Sequence, residues 1–307
     1  MDSSGGEIVM RPSQVFGALL LALFGVSPVR AADPPPVPAL EMEDEVVVEG
    51  WRPLPEQIDN FVLEALPTKG AHQLARWYRP ICPVILGLPA EQAALMKQRL
   101  QIAAAEAAQL PPPKADCKPN IAIFATDNPD ALIEGLIKRY PKIYNPELSV
   151  KFRNVLGKPR DAHGAIRVWY RTRTSSADGL GPRMDGDGLR AFPVFKSPIP
   201  SRIIEPVREE LQRVLIILDP RQFQGQTVEA VADHLAMLVL GQFEGDVGAG
   251  IPTILNLFSG NPSTVPTVMT EWDKTMLRGL YAAKEDYTIL KQRRYVAHHM
   301  KEAIEKP

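Results

Sequence analysis

The longest uninterrupted apolar stretch, Val15 to Val26 (VFGALLLALFGV), stands near the start of the chain and follows a positive charge at Arg11. At about 12 residues it is shorter than the ~20 that an α-helix needs to cross a bilayer. It runs on into Val29-Arg30-Ala31, which offers a cut before Ala32. A basic start, a short apolar centre and a small-residue exit are the parts of a secretory signal peptide. Residues 1–31 are therefore set aside from the fold, and the mature chain is expected in the periplasm or outside the cell. Met10 directly precedes Arg11, so the start of translation is open between Met1 and Met10. No cysteine near the cut offers a lipid acceptor, and no later segment is long and apolar enough to span a membrane.

Export makes a disulfide permissible. The chain holds only two cysteines, Cys82 and Cys117, 35 residues apart. Neither has a Cys-x-x-Cys neighbour, so a bridge is expected rather than a redox centre. Closing such a loop stabilises a fold by ~3–4 kcal/mol on the chain-entropy model. Net charge is -1, which lacks the basic excess of a nucleic-acid binder.

Residues 32–44 (ADPPPVPALEMED) form a proline-rich, acidic linker. Residues 45–307 read as one α+β domain, an N-terminal sheet and helix part (45–220) followed by a helical part (221–307). Glu45 to Gly50 (EVVVEG) is similar to the short energy-coupling box of outer-membrane receptors, but the chain lacks the alternating strands of a barrel. A first strand or an ordered arm is the expectation there. Residues 55–66 suit a short helix. Ile81 to Leu86 suits a strand, and Pro89 then opens a helix at its first position. Met96, Leu100, Ala103, Ala107 and Leu110 share one face of that helix, and Pro111 to Pro113 end it. Asn120 to Ala125 (NIAIFA) is a buried-type strand. Asn128 caps the next helix, with Pro129 at its first position and Leu132, Ile133, Leu136 and Ile137 expected to face inward.

Ile166 to Thr172 (IRVWYRT) alternates, with Ile166, Val168 and Tyr170 on one side. Arg167, Trp169, Arg171 and Arg173 line the other as a basic, aromatic stripe. Such a stripe binds anions, sugars or acidic partners; the competing expectation is a solvated strand face with cross-strand ion pairs. Residues 175–190 read as a long polar loop. Its Asp185-Gly186-Asp187-Gly188 places Leu189 and Arg190 where a calcium loop needs an oxygen ligand and a glycine. Val214 to Leu218 (VLIIL) is a buried strand, closed by Asp219-Pro220. Thr227 to Leu240 is an apolar helix ended by Gly241. Thr270 with Asp273 forms a capping box that opens a helix through Ala283, and a last helix runs from about Lys284 to Glu305. A mixed sheet of four or five strands with a helical C-terminal third follows.

The stretch 214–283, with IPTILNLF and TEWDKTMLRGLY after the buried helix, resembles a family of exported proteobacterial proteins (alphaproteobacterial in type) that carry a degenerate zincin-like domain. The resemblance implies a zincin-like scaffold and brings no activity with it. An active zincin carries H-E-x-x-H on this helix, where two histidines bind zinc and the glutamate activates water. In this chain Asp233 falls at the first histidine, His234 at the glutamate and Met237 at the second histidine. A thioether suits softer metals. Asp233 and His234, being adjacent, do not share a helix face. They are expected on the helix's polar edge or bonded to a neighbouring loop, with Glu229 and Asp233 nearer solvent.

His72 and His163 are isolated, and His298 and His299 suit a solvated helix end. No G-x-S-x-G and no phosphate-binding loop occurs. The expectation is a non-catalytic exported binding or accessory protein, with no metal, no cofactor and an acidic or envelope partner. A hydrolase built around Glu229, Asp233 and His234 is the alternative.

Overall fold

A computed structural model describes residues 55–66, 73–140, 164–176, 178–186, 192–195, 207–223, 225–243, 247, 251–258 and 266–305. The expectations for the signal segment, the linker, EVVVEG, His72, His163 and Asp187-Gly188 lie outside these residues. All the described residues belong to one unit, Trp51–Pro307.

Helix α1 spans Pro55–Ala65. Strand β1 (Pro83–Leu86) leads into α2 (Ala90–Glu106), β2 (Ile121–Ala125) and α3 (Pro129–Arg139). The long strand β3 (Ile166–Ser176) is followed by two short strands, β4 (Arg183–Asp185) and β5 (Phe192–Val194). Strand β6 (Val207–Leu218) precedes α4 (Val228–Leu240), α5 (Glu271–Ala282) and α6 (Ile289–Glu305). The sheet order is β1-β2-β6-β3. The first three strands are parallel, and β3 lies antiparallel against β6 at the edge. The fold is α+β with a mixed four-stranded sheet and a helical C-terminal region, as the sequence implied.

Both faces of the sheet are covered along Val214 to Leu218, which explains the continuous apolar run there. Ile121 and Ile123 of β2, Val214, Ile216 and Leu218 of β6, and Ile166 and Val168 of β3 pack into the main core with α2 and α4. Trp169, Leu215 and Ile217 point the other way and form a second cluster with Leu132, Ile133 and Leu136 of α3. Ile137, expected inward, is 41% exposed, because a single apolar stripe suffices to seat α3.

Local chemistry places the ends. The Asn128 side chain accepts from the Ala131 N–H, and Thr270 and Asp273 form the expected capping box. Pro89 sits one position before α2 as its N-cap rather than at its first turn. Helix α2 ends at Glu106, before the Pro111 to Pro113 stop expected of it, and three residues on Gln109 turns the chain with a left-handed φ of 53° where glycine is usual. The last helix begins at Ile289, not Lys284, and β6 begins seven residues before Val214. The expected loop 175–190 is partly strand. It holds the end of β3 and all of β4, whose backbone is satisfied by β5. Cys82, just before β1, is bonded to Cys117, in the loop leading into β2. Asn120 reinforces this corner, accepting from the Cys82 N–H at 2.7 Å and donating to the Pro80 carbonyl at 2.9 Å.

Candidate functional site

Helix α4 is buried along nearly its whole length, and its polar residues are no exception. Asp233 was expected nearer solvent and is 2% exposed. Its carboxylate pairs with Arg99 of α2 and accepts the Met269 N–H at 2.6 Å, just before α5. It therefore ties three elements together. His234 is turned to the other side of the helix. Its Nδ1 lies 2.9 Å from the Ile254 carbonyl, which can only accept, so Nδ1 carries the proton. The Phe258 ring packs against it at a near-right angle, with ring centroids 5.0 Å apart. Burial lowers the His234 pKa to about 4, so the ring is neutral. Glu229 is half-buried one turn before Asp233, and Met237 is fully buried. Glu229 and Asp233 both act on Arg99, whereas His234 faces Ile254 and Phe258 instead. Among the described residues no group of three or more metal-ligating side chains converges.

A hollow of about 270 Å³ lies over the Asp233 ion pair, between Ile102, Glu106, Val268 and Met269. A larger cleft of about 810 Å³ lies between the end of α2 and the turn after α5, lined by Tyr78, Gln109, Arg278, Tyr281, Lys284 and Glu285. Its charges are of both signs. Arg278 reaches Glu271, and the Tyr281 hydroxyl donates to the Leu240 carbonyl at 2.7 Å.

The arginine stripe is divided by the fold. Arg167 and Trp169 are 6% and 5% exposed, because α3 lies over them. Arg167 donates to Asp130 of α3 at 2.6 Å. The expectation of an open basic, aromatic surface fails for these two. The sequence could not show that α3 crosses to this side of the sheet.

Beyond the reach of α3 the same face of β3 continues as Arg171, Arg173 and Ser175, paired in register with Arg213, Glu210 and Arg208 of β6. A bulge between Arg171 and Thr172 leaves Gln212 of β6 without a register partner. Arg173 and Arg213 are exposed and Arg171 is half-buried. Arg79 joins them from the segment alongside β6, donating to the Gln212 carbonyl at 2.6 Å. Burial lowers the Arg79 pKa, and the neighbouring charges of Arg173 and Arg213 lower it further, against Glu210. Sequence reasoning missed Arg79 and Arg213. The signal available was the Arg213 side chain, which alternates out of the apolar run Val214 to Leu218.

Glu210 is the buried carboxylate of this face, 5% exposed. It accepts from Ser175 at 2.7 Å, Arg173 at 2.7 Å and Arg208 at 2.9 Å. Burial works to raise its pKa, and these hydrogen bonds outweigh that and lower it. Arg208 in turn stacks over the Tyr78 ring at 4.0 Å and reaches Glu285. Among the described residues no carboxylate pairs with Arg171 or Arg213.

The class these features define is an α+β protein with a disulfide at its sheet entrance and an arginine cluster on one sheet face. Compared with known family models, curated proteins and solved structures, the chain matches none.

Proposed function

We propose that the chain is an exported, non-catalytic binding protein that engages an anionic partner on the arginine-bearing face of β3 and β6. One observation carries this reading. Arg171 and Arg213 stand directly opposite each other in the ladder, with Arg173 on the same face and Arg79 close to Arg173 and Arg213. Like charges in that position destabilise a sheet, and an anion bound there relieves the repulsion. Guanidinium groups offer planar forks of donors that fit carboxylate or phosphate. Glu210 is already bonded to Ser175, Arg173 and Arg208, so it does not neutralise the outer arginines.

Export rests on Val15 to Val26 and its flanks, with a mature chain beginning near Ala32. The Cys82–Cys117 bridge suits the periplasm or the exterior, and no described helix is long and apolar enough to cross a membrane. The scaffold is read as zincin-like with the metal chemistry lost. The groups at the three motif positions support that reading, because Asp233 is held by Arg99 and Met269, His234 by Ile254, and Met237 lies in the core. The same bonds weigh against a hydrolase centred on Asp233 and His234. One tightly bound zinc per chain, with peptide cleavage lost in His234→Ala, would reinstate it.

The direct test is calorimetric titration of residues 32–307 with polyglutamate, polyphosphate and heparin at low ionic strength. Wild-type protein is expected to bind at least one of them. Arg171→Ala with Arg213→Ala weakens that binding about tenfold or more, the effect of two charge contacts. Equal binding by both proteins, or binding by neither, contradicts the proposal.

A further inference from the structure

We infer that the cleft between the end of α2 and the turn after α5 is a second binding site, which takes a small organic monocarboxylate with an apolar body. It uses neither Arg171 nor Arg213 and goes beyond the anionic partner proposed for that face.

The residue that carries this is Arg76. It is 3% exposed, yet among the described residues no carboxylate pairs with it. A buried charge is costly unless it is paired. Its Nη1 donates to the Leu280 carbonyl at 2.7 Å and the Tyr281 carbonyl at 3.2 Å, and its Nε donates to the Tyr78 hydroxyl at 2.9 Å. The two carbonyls end α5, where the helix dipole favours a cation. These bonds fix the guanidinium, but every acceptor in them is neutral. Nη2 meets no acceptor among the described residues, and Arg76 lines the cleft. The Tyr78 hydroxyl lines it too and, among the described residues, has no acceptor for its own proton. Burial raises the Tyr78 pKa, so that proton stays on. A carboxylate entering the cleft can therefore accept from Nη2 with one oxygen and from the hydroxyl with the other. Such bonds are charge-assisted, and because both donors are already held in place, little side-chain freedom is lost on binding.

The rest of the cleft decides what that carboxylate is attached to. Its volume of about 810 Å³ lies within the range of small-molecule sites. Ala107, Ala108, Leu110 and Ala283 give it an apolar wall, suited to a hydrocarbon or aromatic body. Glu285 and Asp286 line it as well, and the Asp286 Oδ1 has no hydrogen-bond partner. Their charges repel a second negative charge on the ligand, which favours a monocarboxylate over phosphate. Gln109, another lining residue, holds a left-handed φ of 53°. That conformation is costly for a residue with a side chain, and backbone strain of this kind gathers at ligand sites.

The test is calorimetric titration of residues 32–307 with phenylbutyrate, its uncharged amide and inorganic phosphate. Saturable binding of the acid is expected, with the amide about tenfold weaker or more and phosphate unable to displace the acid. Arg76→Gln should weaken the acid by about tenfold. Because Arg76 also holds the end of α5, a second variant leaves its bonds in place. Ala282→Trp puts a large side chain into the cleft from its exposed rim, and should weaken the acid by a similar factor with the melting temperature unchanged. Arg183→Ala, on the β4–β5 hairpin, should bind like the wild type. Equal binding of acid and amide overturns the inference, since the guanidinium is then not the anchor. No saturable binding of the acid, or its displacement by phosphate, also overturns it. Full affinity in a folded Ala282→Trp protein puts the acid elsewhere and overturns it too. Polyanion binding reads the arginine face separately, so each of these results leaves that proposal standing.

Discussion

The buried His234 ring contributes to the acid sensitivity of this fold, alongside the paired carboxylates of Glu210 and Asp219. Its pKa is lowered from 6.5 to about 4, so the unfolded chain takes up a proton that the folded chain refuses. Its contribution is fully present above pH ~6.5 and is lost as pH falls towards 4, by about 3 kcal/mol in total. Thermal melts between these limits should show that slope, and His234→Gln should flatten it. An unchanged slope would mean that the ring is not the titrating group. Asp233 acts differently. Asp233→Ala leaves the Met269 N–H buried without an acceptor, at a cost of about 1–3 kcal/mol, while Arg99, partly exposed, turns to water. A denaturant midpoint unchanged from wild type would refute that role. A bond to a neighbouring loop was one of the two sequence expectations for both residues, and Met269 and Ile254 supply it; the burial and the Arg99 pair were not legible. Asp233 reads as an exposed helix residue because its partner Arg99 lies 134 positions away. His234 reads as a possible ligand because the Ile254 carbonyl that fixes it comes from a 3₁₀ turn that periodicity does not reveal.

Elements with a clear period were legible, and those whose role depends on a crossover were not. The apolar face of α4 is one such clear case, with Leu235 fully buried as its spacing requires. Leu235→Ala should cost ~2–5 kcal/mol; a loss below ~0.5 kcal/mol, typical of a surface site, would show that the helix does not pack as described. Strand β3 alternates as read, with Ile166 and Val168 in the main core. Which half of its other face stays open was decided by α3, whose Asp130 pairs with Arg167 of β3 and whose Leu132 packs on the cluster that holds Trp169. At the bare half, Arg213→Ala removes a like-charge neighbour of Arg171. Stability should hold or rise by roughly 0.2–1 kcal/mol. A clear drop in melting temperature would mean that Arg213 has a stabilising partner and that the cluster is structural.

At the scale of the molecule, strand, helix, strand, helix at the start and an apolar run before a buried helix were enough to place the chain as α+β. Two cysteines in a chain read as exported were enough to propose their pairing, which the structure shows. Function was less legible because the arginine cluster is assembled from three separate segments. Arg79, Arg171 and Arg213 meet only when β6 has paired with β3 on one side and with the segment at Arg76 on the other. On the proposed reading, this assembled face holds the anion. The most direct measurement is arginine modification by phenylglyoxal, read by mass spectrometry with and without saturating polyanion. Protection of Arg79, Arg171, Arg173 and Arg213, with Arg183 and Arg294 still modified, is the predicted result. Protection of other arginines with these four still reactive would contradict it.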